Sequence, residues 1–386
     1  MTDAVVGLFA GIGGIEVGLH RSGFKTQLLV EIDSAAQAVL RRRFPRVPLA
    51  GDIRDVPELP RTTVLAAGFP CQDLSQAGKT AGISGRNSGL VDHVFRLLQA
   101  ASVPPTWVVL ENVPFMLQLD RGKAMRVLVE ALERLGYAWA YRVVDARAFG
   151  LPQRRQRVML VASKTEDPRE VLLHGSAEVP DPPEWRSVAC GFYWTEGTKG
   201  LGWAVDAVPT LKGGSALGIP SPPAIVMPGM ATIVTPNIRD AERLQGFEAD
   251  WTRPAVSDAG KRIGARWRLV GNAVPVPVAE WLGKRLRNPV AYDASGDEVI
   301  REGSAWPKAA WGRRGRAYRV DLSLWPVRRS YRHLAEFLAY EPAPLSARGT
   351  AGFLSRVCNS QLRFPPGFKR AVARHLKQMV FATAKG

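Results

Sequence analysis

The chain has 386 residues, 46% of them apolar, and 52 Lys and Arg against 35 Asp and Glu, for a net charge of +17 and a pI near 10.3. That length suggests two or three domains with ample core, while three scattered cysteines, at 71, 190 and 358, exclude a disulfide framework and a cysteine zinc cluster. No stretch nears the roughly 20 apolar residues of a membrane span, and Asp3 stands where a signal peptide needs positive charge; a soluble, unprocessed, cytoplasmic protein with a polyanionic partner is expected.

The run Ala4-Val5-Val6-Gly7-Leu8-Phe9 reads as a buried strand that enters a glycine turn, Gly11, Gly13 and Gly14, before a helical stretch from Ile15 to Arg21. Such a turn suits a nucleotide-type cofactor. The dinucleotide fingerprint would want a third glycine at position 16, and Glu16 counts against NAD. A second strand, Gln27 to Val30, ends at Glu31, whose carboxylate can accept hydrogen bonds from both hydroxyls of a ribose. The spacing then predicts a helix over Ser34 to Arg43, capped by Ser34 and stopped before Pro45.

Val64 to Ala67 is a short apolar run leading into Gly68-Phe69-Pro70-Cys71-Gln72-Asp73-Leu74-Ser75, so Pro70-Cys71 is expected in a loop just beyond a strand's carboxyl end, where open α/β sheets hold ligands. A free cysteine is most often a small buried hydrophobe. Polar, turn-forming Gln72, Asp73 and Ser75 argue instead for the open loop that a reactive thiol needs. Gln76 to Asn87 has no apolar period, and Leu90 to Ala100 has helical spacing.

Trp107 to Leu110 is another buried run, ending in Glu111-Asn112-Val113; desolvation beside the cysteine loop is expected to raise the pKa of Glu111. A helix over Lys123 to Leu135 and a strand over Tyr137 to Val144 precede Gln153-Arg154-Arg155-Gln156-Arg157, where strand alternation would send Arg155 and Arg157 to one face. From Ser163 to Val234 the texture is Pro, Gly, Ser and Trp with little period. Gly271-Asn272-Ala273-Val274 reads as opening a helical stretch through Leu286. The last 96 residues hold 17 Lys and Arg against 7 acidic residues, with an amphipathic stretch from Phe368 to Val380.

Five of these motifs stand in one order: Leu8 to Gly14, Gly68 to Gln72 with Ser75, Glu111 to Val113, Gln153 to Arg157 and Gly271 to Val274. Over roughly residues 4 to 287 the chain resembles the DNA (cytosine-5)-methyltransferases of bacterial type. The resemblance implies an α/β fold: a Rossmann-like S-adenosylmethionine-dependent methyltransferase domain over 1–162, a smaller target-recognition domain over 163–260, a return to the catalytic domain over 261–290, and a basic C-terminal extension over 291–386. It implies S-adenosylmethionine held by Phe9, Gly11, Gly13, Glu31, Ile32, Asp52, Ile53, Pro70, Leu90, Asn272 and Val274. Cys71 would be the nucleophile, Glu111 the group at the cytosine ring nitrogen, and Arg155 and Arg157 the braces of the flipped base and the acid.

Gln72, Ser75, Lys79 and Arg86 would meet DNA from a closing loop, although Arg86 lies one place earlier than the family pattern. Thr210 and Lys212 would face DNA from the recognition domain, which Arg243-Leu244-Gln245-Gly246-Phe247 would organise. The implied reaction needs base flipping and no metal. The implied partners are double-stranded DNA and a restriction or defence-system protein, with the methyltransferase itself monomeric. A tRNA cytosine-5 methyltransferase of the same fold shares the Cys and Glu motifs and is the alternative. Intact Cys71, Glu111, Arg155 and Arg157 argue against a non-catalytic binding module.

Overall fold

The structure is a computed structural model that describes residues 3–69, 89–214, 220–230, 232–256 and 263–383. In chain order the first strands are β1 (Ala4–Leu8), β2 (Lys25–Val30), β3 (Leu49–Ala50), β4 (Val64–Gly68), β5 (Trp107–Asn112), β6 (Ala138–Asp145), β7 (Gln153–Arg154) and β8 (Gln156–Ser163). Short strands follow: β9 (Cys190–Phe192), β10 (Trp203–Val205), β11 (Val208–Pro209), β12 (Ala224–Val226) and β13 (Ile233–Thr235). The last are β14 (Glu298–Val299), β15 (Ala309–Arg313), β16 (Arg316–Arg319) and β17 (Ala343–Pro344). The helices that matter below are α1 (Gly14–Arg21), α2 (Ser34–Arg43), α3 (Leu90–Ala100), α4 (Lys123–Arg134), α5 (Pro168–Leu172), α6 (Ile238–Arg243), α7 (Ile263–Asn272), α8 (Val276–Arg287), α9 (Leu334–Phe337), α10 (Ala347–Cys358) and α11 (Phe368–Thr383).

The chain forms two compact units: residues 1–148, 156–179 and 273–328 in the larger, and 149–155, 180–272 and 329–386 in the smaller. The larger holds one sheet in the order β14-β16-β15-β6-β8-β5-β4-β1-β2-β3. From β3 to β5 neighbouring strands are parallel, and β1 and β5 are buried along their whole length. That is why they read as unbroken apolar runs: a parallel strand covered on both faces has no solvent side to alternate toward. Beyond β5 every pairing is antiparallel. Asp33, not Ser34, caps α2, accepting the backbone N–H groups of Ala35 and Ala36 at 3.0 Å each; the helix begins at Ser34, so the cap lies one residue earlier than expected.

Residues 291–386 do not form the single appended unit expected of them. Their first part joins the large sheet: Ala309 to Gly312 pair antiparallel with Trp139 to Arg142, and β16 and β14 complete the edge. A bare β6 would present unpaired backbone groups, and β15 satisfies them. The fully buried Arg142 adds a tie, donating to the carbonyls of Gly175 at 2.7 Å and Ser323 at 2.8 Å, and its burial lowers the guanidinium pKa to about 10.

The second part of that segment belongs to the smaller unit, whose sheet runs β10-β9-β12-β13-β17. Phe192 of β9 stacks on Phe353 of α10 with centroids 4.5 Å apart, and Phe368 of α11 meets both rings edge-on. A second cluster gathers Val208, Leu211, Ile225, Leu244 and Trp267. Strands of two or three residues carry too little length for a period, which is why 163 to 234 read as irregular. No helix of the described residues is long and apolar enough to cross a membrane.

Candidate active site

The cofactor-type turn lies between β1 and α1. Phe9, Gly11 and Gly13 all have positive φ, 54°, 55° and 83°, a backbone path open to glycine and strained for phenylalanine, of the kind that collects at binding sites. The turn is tied to the end of β2: the Gly11 N–H donates to Glu31 Oε2 at 2.7 Å, and the Asp33 N–H donates to Oε1 at 2.8 Å. Burial pushes the Glu31 pKa up, while these backbone donors pull against it. Two carboxylate oxygens keep lone pairs for further donors. Next to it Ile32 is 66% exposed, a large apolar side chain with one face open, and Ile53 is buried. Asp52 caps the short turn that follows it and is paired with Arg54, Oδ2 to Nη2 at 2.6 Å. Leu90, at the first turn of α3, is half-buried.

Beneath the turn stands Glu16, at the position where the dinucleotide fingerprint would have its third glycine. Glu16 is 1% exposed, and its Oε2 has no hydrogen-bond partner among the described residues. Its carboxyl occupies the space over Gly7 of β1, where a Cβ would come within 2.1 Å of Oε1. Burial raises its pKa to about 7; its own backbone N–H opposes the shift and the charge of Glu31 adds to it. In the dinucleotide fold the close approach of strand and helix is allowed by a glycine on the helix. Here the glycine is on the strand and the helix supplies a carboxyl.

The second cluster lies at the ends of β4 and β5. Gly68 pairs in register with Glu111, and a Cβ on Gly68 would lie 3.3 Å from Glu111 Oε2 and 4.0 Å from Val274 Cγ2. Glu111 is 8% exposed, and Arg157 Nε sits 2.7 Å from its Oε1. The two are 46 residues apart in sequence but meet because β5 and β8 are antiparallel neighbours, with Asn112 opposite Val158. Asn112 Nδ2 donates to the Phe69 carbonyl at 3.0 Å, pinning the strand end from which the chain continues to Cys71. Asn112 went unassigned in the sequence, although it stands in the Glu-Asn motif.

Arg155 does not share this arrangement. It falls between β7 and β8, so strand alternation does not carry across it, and it belongs to the smaller unit. Its guanidinium, almost fully buried, donates to the carbonyls of Leu211 at 3.0 Å and Gly271 at 2.9 Å. Gln153 supports the same segment, donating to the Leu244 carbonyl at 2.8 Å and accepting the Leu211 N–H at 3.0 Å. Asn272 closes α7 instead of opening a helix; Pro275 precedes α8, and Asn272 Oδ1 lies 2.8 Å from where a Cβ on Gly213 would be. Thr210 Oγ1 donates to the Arg154 carbonyl at 2.9 Å, and Lys212 sits over the Tyr193 ring and 3.1 Å from Glu196. Pro70, Cys71, Gln72, Ser75, Lys79 and Arg86 lie outside the described residues.

A model of the C-5 cytosine-specific DNA methylases matches residues 4–188. The type II methyltransferase M2.BsuMI of Bacillus subtilis is 51% identical over 364 residues, covering 91% of this chain and 92% of that relative. The chain belongs to the C-5 cytosine-specific DNA methylases. M.MspI of Moraxella sp is 36% identical over 181 residues, 46% of the present methylase and 41% of that relative. Among solved structures, the methyltransferase EhMeth of Entamoeba histolytica is similar in fold, with a TM-score of 0.53 at 16% identity over 73% of this methylase and 97% of that chain. The Glu111 and Arg157 pair and the Glu31 turn lie in the stretch that the family model matches, whereas Gly271 to Val274 and the whole C-terminal segment lie outside it.

Proposed function

We propose that this methylase transfers a methyl group to C5 of cytosine in duplex DNA, within a type II restriction-modification setting, with Cys71 as nucleophile. The observation that carries the reading is the buried Glu111 and Arg157 pair, placed against Gly68 three residues before Cys71. The Glu31 turn fits S-adenosylmethionine: its carboxylate has acceptor capacity left for a ribose, and exposed Ile32 offers an apolar face for a purine. Asp52 would reach the adenine amino group only by sharing its carboxylate with Arg54. Bound S-adenosylmethionine supplies the electrophilic methyl group.

The ring carbon C5 is not nucleophilic in aromatic cytosine. The Cys71 thiolate adds to C6, forming an S–C6 bond and pushing the ring electrons toward C5. Glu111 answers the charge developing at N3 by donating a proton or a hydrogen bond there, and Arg157 fixes its direction. Once C5 carries the methyl group its proton leaves to a base, the electron pair of the C5–H bond forms the C5–C6 double bond, the S–C6 bond breaks to restore the thiolate, and a proton given to N3 returns to Glu111. Because C6 is inaccessible in a stacked duplex, the base must leave the helix first.

Cys71→Ser should abolish methyl transfer to duplex DNA while cofactor binding persists, and wild type should form a covalent complex with DNA containing 5-fluorocytosine, from which fluorine cannot leave as a proton does. Turnover by the serine variant would reject Cys71. Methylation of tRNA in place of DNA would favour the alternative substrate.

A further inference from the structure

Residues 342–386 contain eight Lys or Arg and no Asp or Glu. The structure puts four of them on one side of α11. Phe368, Ala371, Val372 and His375 face inward, whereas Lys369, Arg370, Arg374 and Lys377 are exposed. At about 100° per residue those four side chains fall within an arc of about 140°. Among the described residues Lys369, Arg370 and Lys377 enter no ion pair.

The helix is held firmly. Phe368 stacks on Phe364 with centroids 4.7 Å apart, and buried His375 takes the Ile233 N–H on Nδ1 at 3.3 Å while its Nε2 lies 2.9 Å from the Leu345 carbonyl. Lys369 and Arg370 also occupy the first turn of α11, which has no acidic residue, so their charge opposes the helix dipole. A solvated face has no need of a rigid mount or of cations at the unfavourable helix end. A polyanion lying across the helix relieves that repulsion and the mutual repulsion of the four neighbouring cations.

We infer that the outer face of α11 is a phosphate-contacting surface for duplex DNA outside the base-reading contacts. The inference rests on the DNA reading above. It also assigns a role to part of the segment that no family motif reaches. Arginine and lysine contacts to phosphate position a duplex without reading its sequence.

The test compares wild type with the variant Lys369→Gln, Arg370→Gln, Arg374→Gln, Lys377→Gln, whose substitutions are all on exposed positions; circular dichroism and thermal unfolding verify the fold. Binding to a methylatable duplex is measured across salt concentrations. With about three phosphates contacted, the slope of log K against log salt should fall in magnitude by about 2.7 in the variant, with the methylated sequence and the single-turnover rate at saturating DNA unchanged. An unchanged slope in a folded variant overturns the inference. So does a loss confined to binding of anionic phospholipid vesicles, which would make the surface a lipid contact. A wild type that methylates no DNA would instead strike at the reading under Proposed function, since the slopes are measured by binding alone.

Discussion

Two strand ends of the same sheet each present a carboxylate, and they are satisfied in different ways. Glu31, after β2, is held by the backbone N–H groups of Gly11 and Asp33. Glu111, closing β5, is held by a side chain, Arg157. Backbone donors are part of the turn and fix a carboxylate as a recognition group with lone pairs to spare. An arginine partner brings a full charge in a planar fork, which suits a group that must answer charge developing on a substrate. The difference fits the roles proposed above, binding for Glu31 and chemistry for Glu111.

The largest expected effect separates the two edges. Glu111→Gln should slow methyl transfer by about 10²-fold or more, the scale of a positioned general acid, with cofactor affinity unchanged. Glu31→Ala should weaken cofactor binding by about 10- to 100-fold, from the loss of hydrogen bonds to a charged group, and leave the rate at saturating cofactor largely intact. Calorimetry of cofactor binding beside single-turnover rates reads both. Reversed effects would interchange the roles of the two ends.

A smaller effect probes how β1 and α1 pack beneath the Glu31 turn. Gly7→Ala would set a methyl group 2.1 Å from Glu16 Oε1, so chemical denaturation should register a loss of about 1–3 kcal/mol from overpacking. Combining it with Glu16→Ala should recover part of that loss, because the two sites are in contact. Strict additivity would mean that the carboxyl does not fill the space over Gly7.

The smallest effect is a slope. With a folded-state pKa raised from 4.5 to about 7, Glu16 binds its proton more tightly in the folded protein than in the unfolded chain. Its contribution to stability is complete below about pH 4.5 and is lost as pH rises toward and through 7. Glu16→Gln, which mimics the protonated form, should match wild type below about pH 4.5 and exceed it above about pH 7 in thermal unfolding. Parallel pH profiles for the two proteins would show that Glu16 does not titrate in this window.

Much of the turn after β1 and of the strands that lead to Gly68 and Glu111 was legible because each rests on local signals: an apolar run long enough to be a buried strand, followed after β1 by a glycine turn. The strand that leads to Glu31, the strand that carries Glu111 and the helices over Ser34–Arg43 and Leu90–Ala100 follow from periodicity that a short window contains. Local reasoning failed where the chain leaves one element for another. The alternation of Gln153 to Arg157 predicts Arg155 and Arg157 on one face of one strand, yet the ladder breaks at Arg155 and the chain changes units after it. The Gly271 to Val274 motif predicts a helix start, whereas Asn272 ends one helix and Pro275 precedes the next.

The sequence by itself determined the parallel strands, the turn that follows β1 and the motif order that marks a cytosine methylase, because burial on both faces and turn chemistry are written into consecutive residues. Only the tertiary structure decided which of the two arginines, Arg157 and not Arg155, pairs with Glu111, that the last 96 residues divide between two units, and that Glu16 lies over Gly7. Each of these depends on which strand borders which, or on what fills the space between a helix and a sheet. Pairings across tens or hundreds of residues are selected by the need to satisfy a sheet edge or bury an aromatic face, and no window of neighbouring residues carries that information.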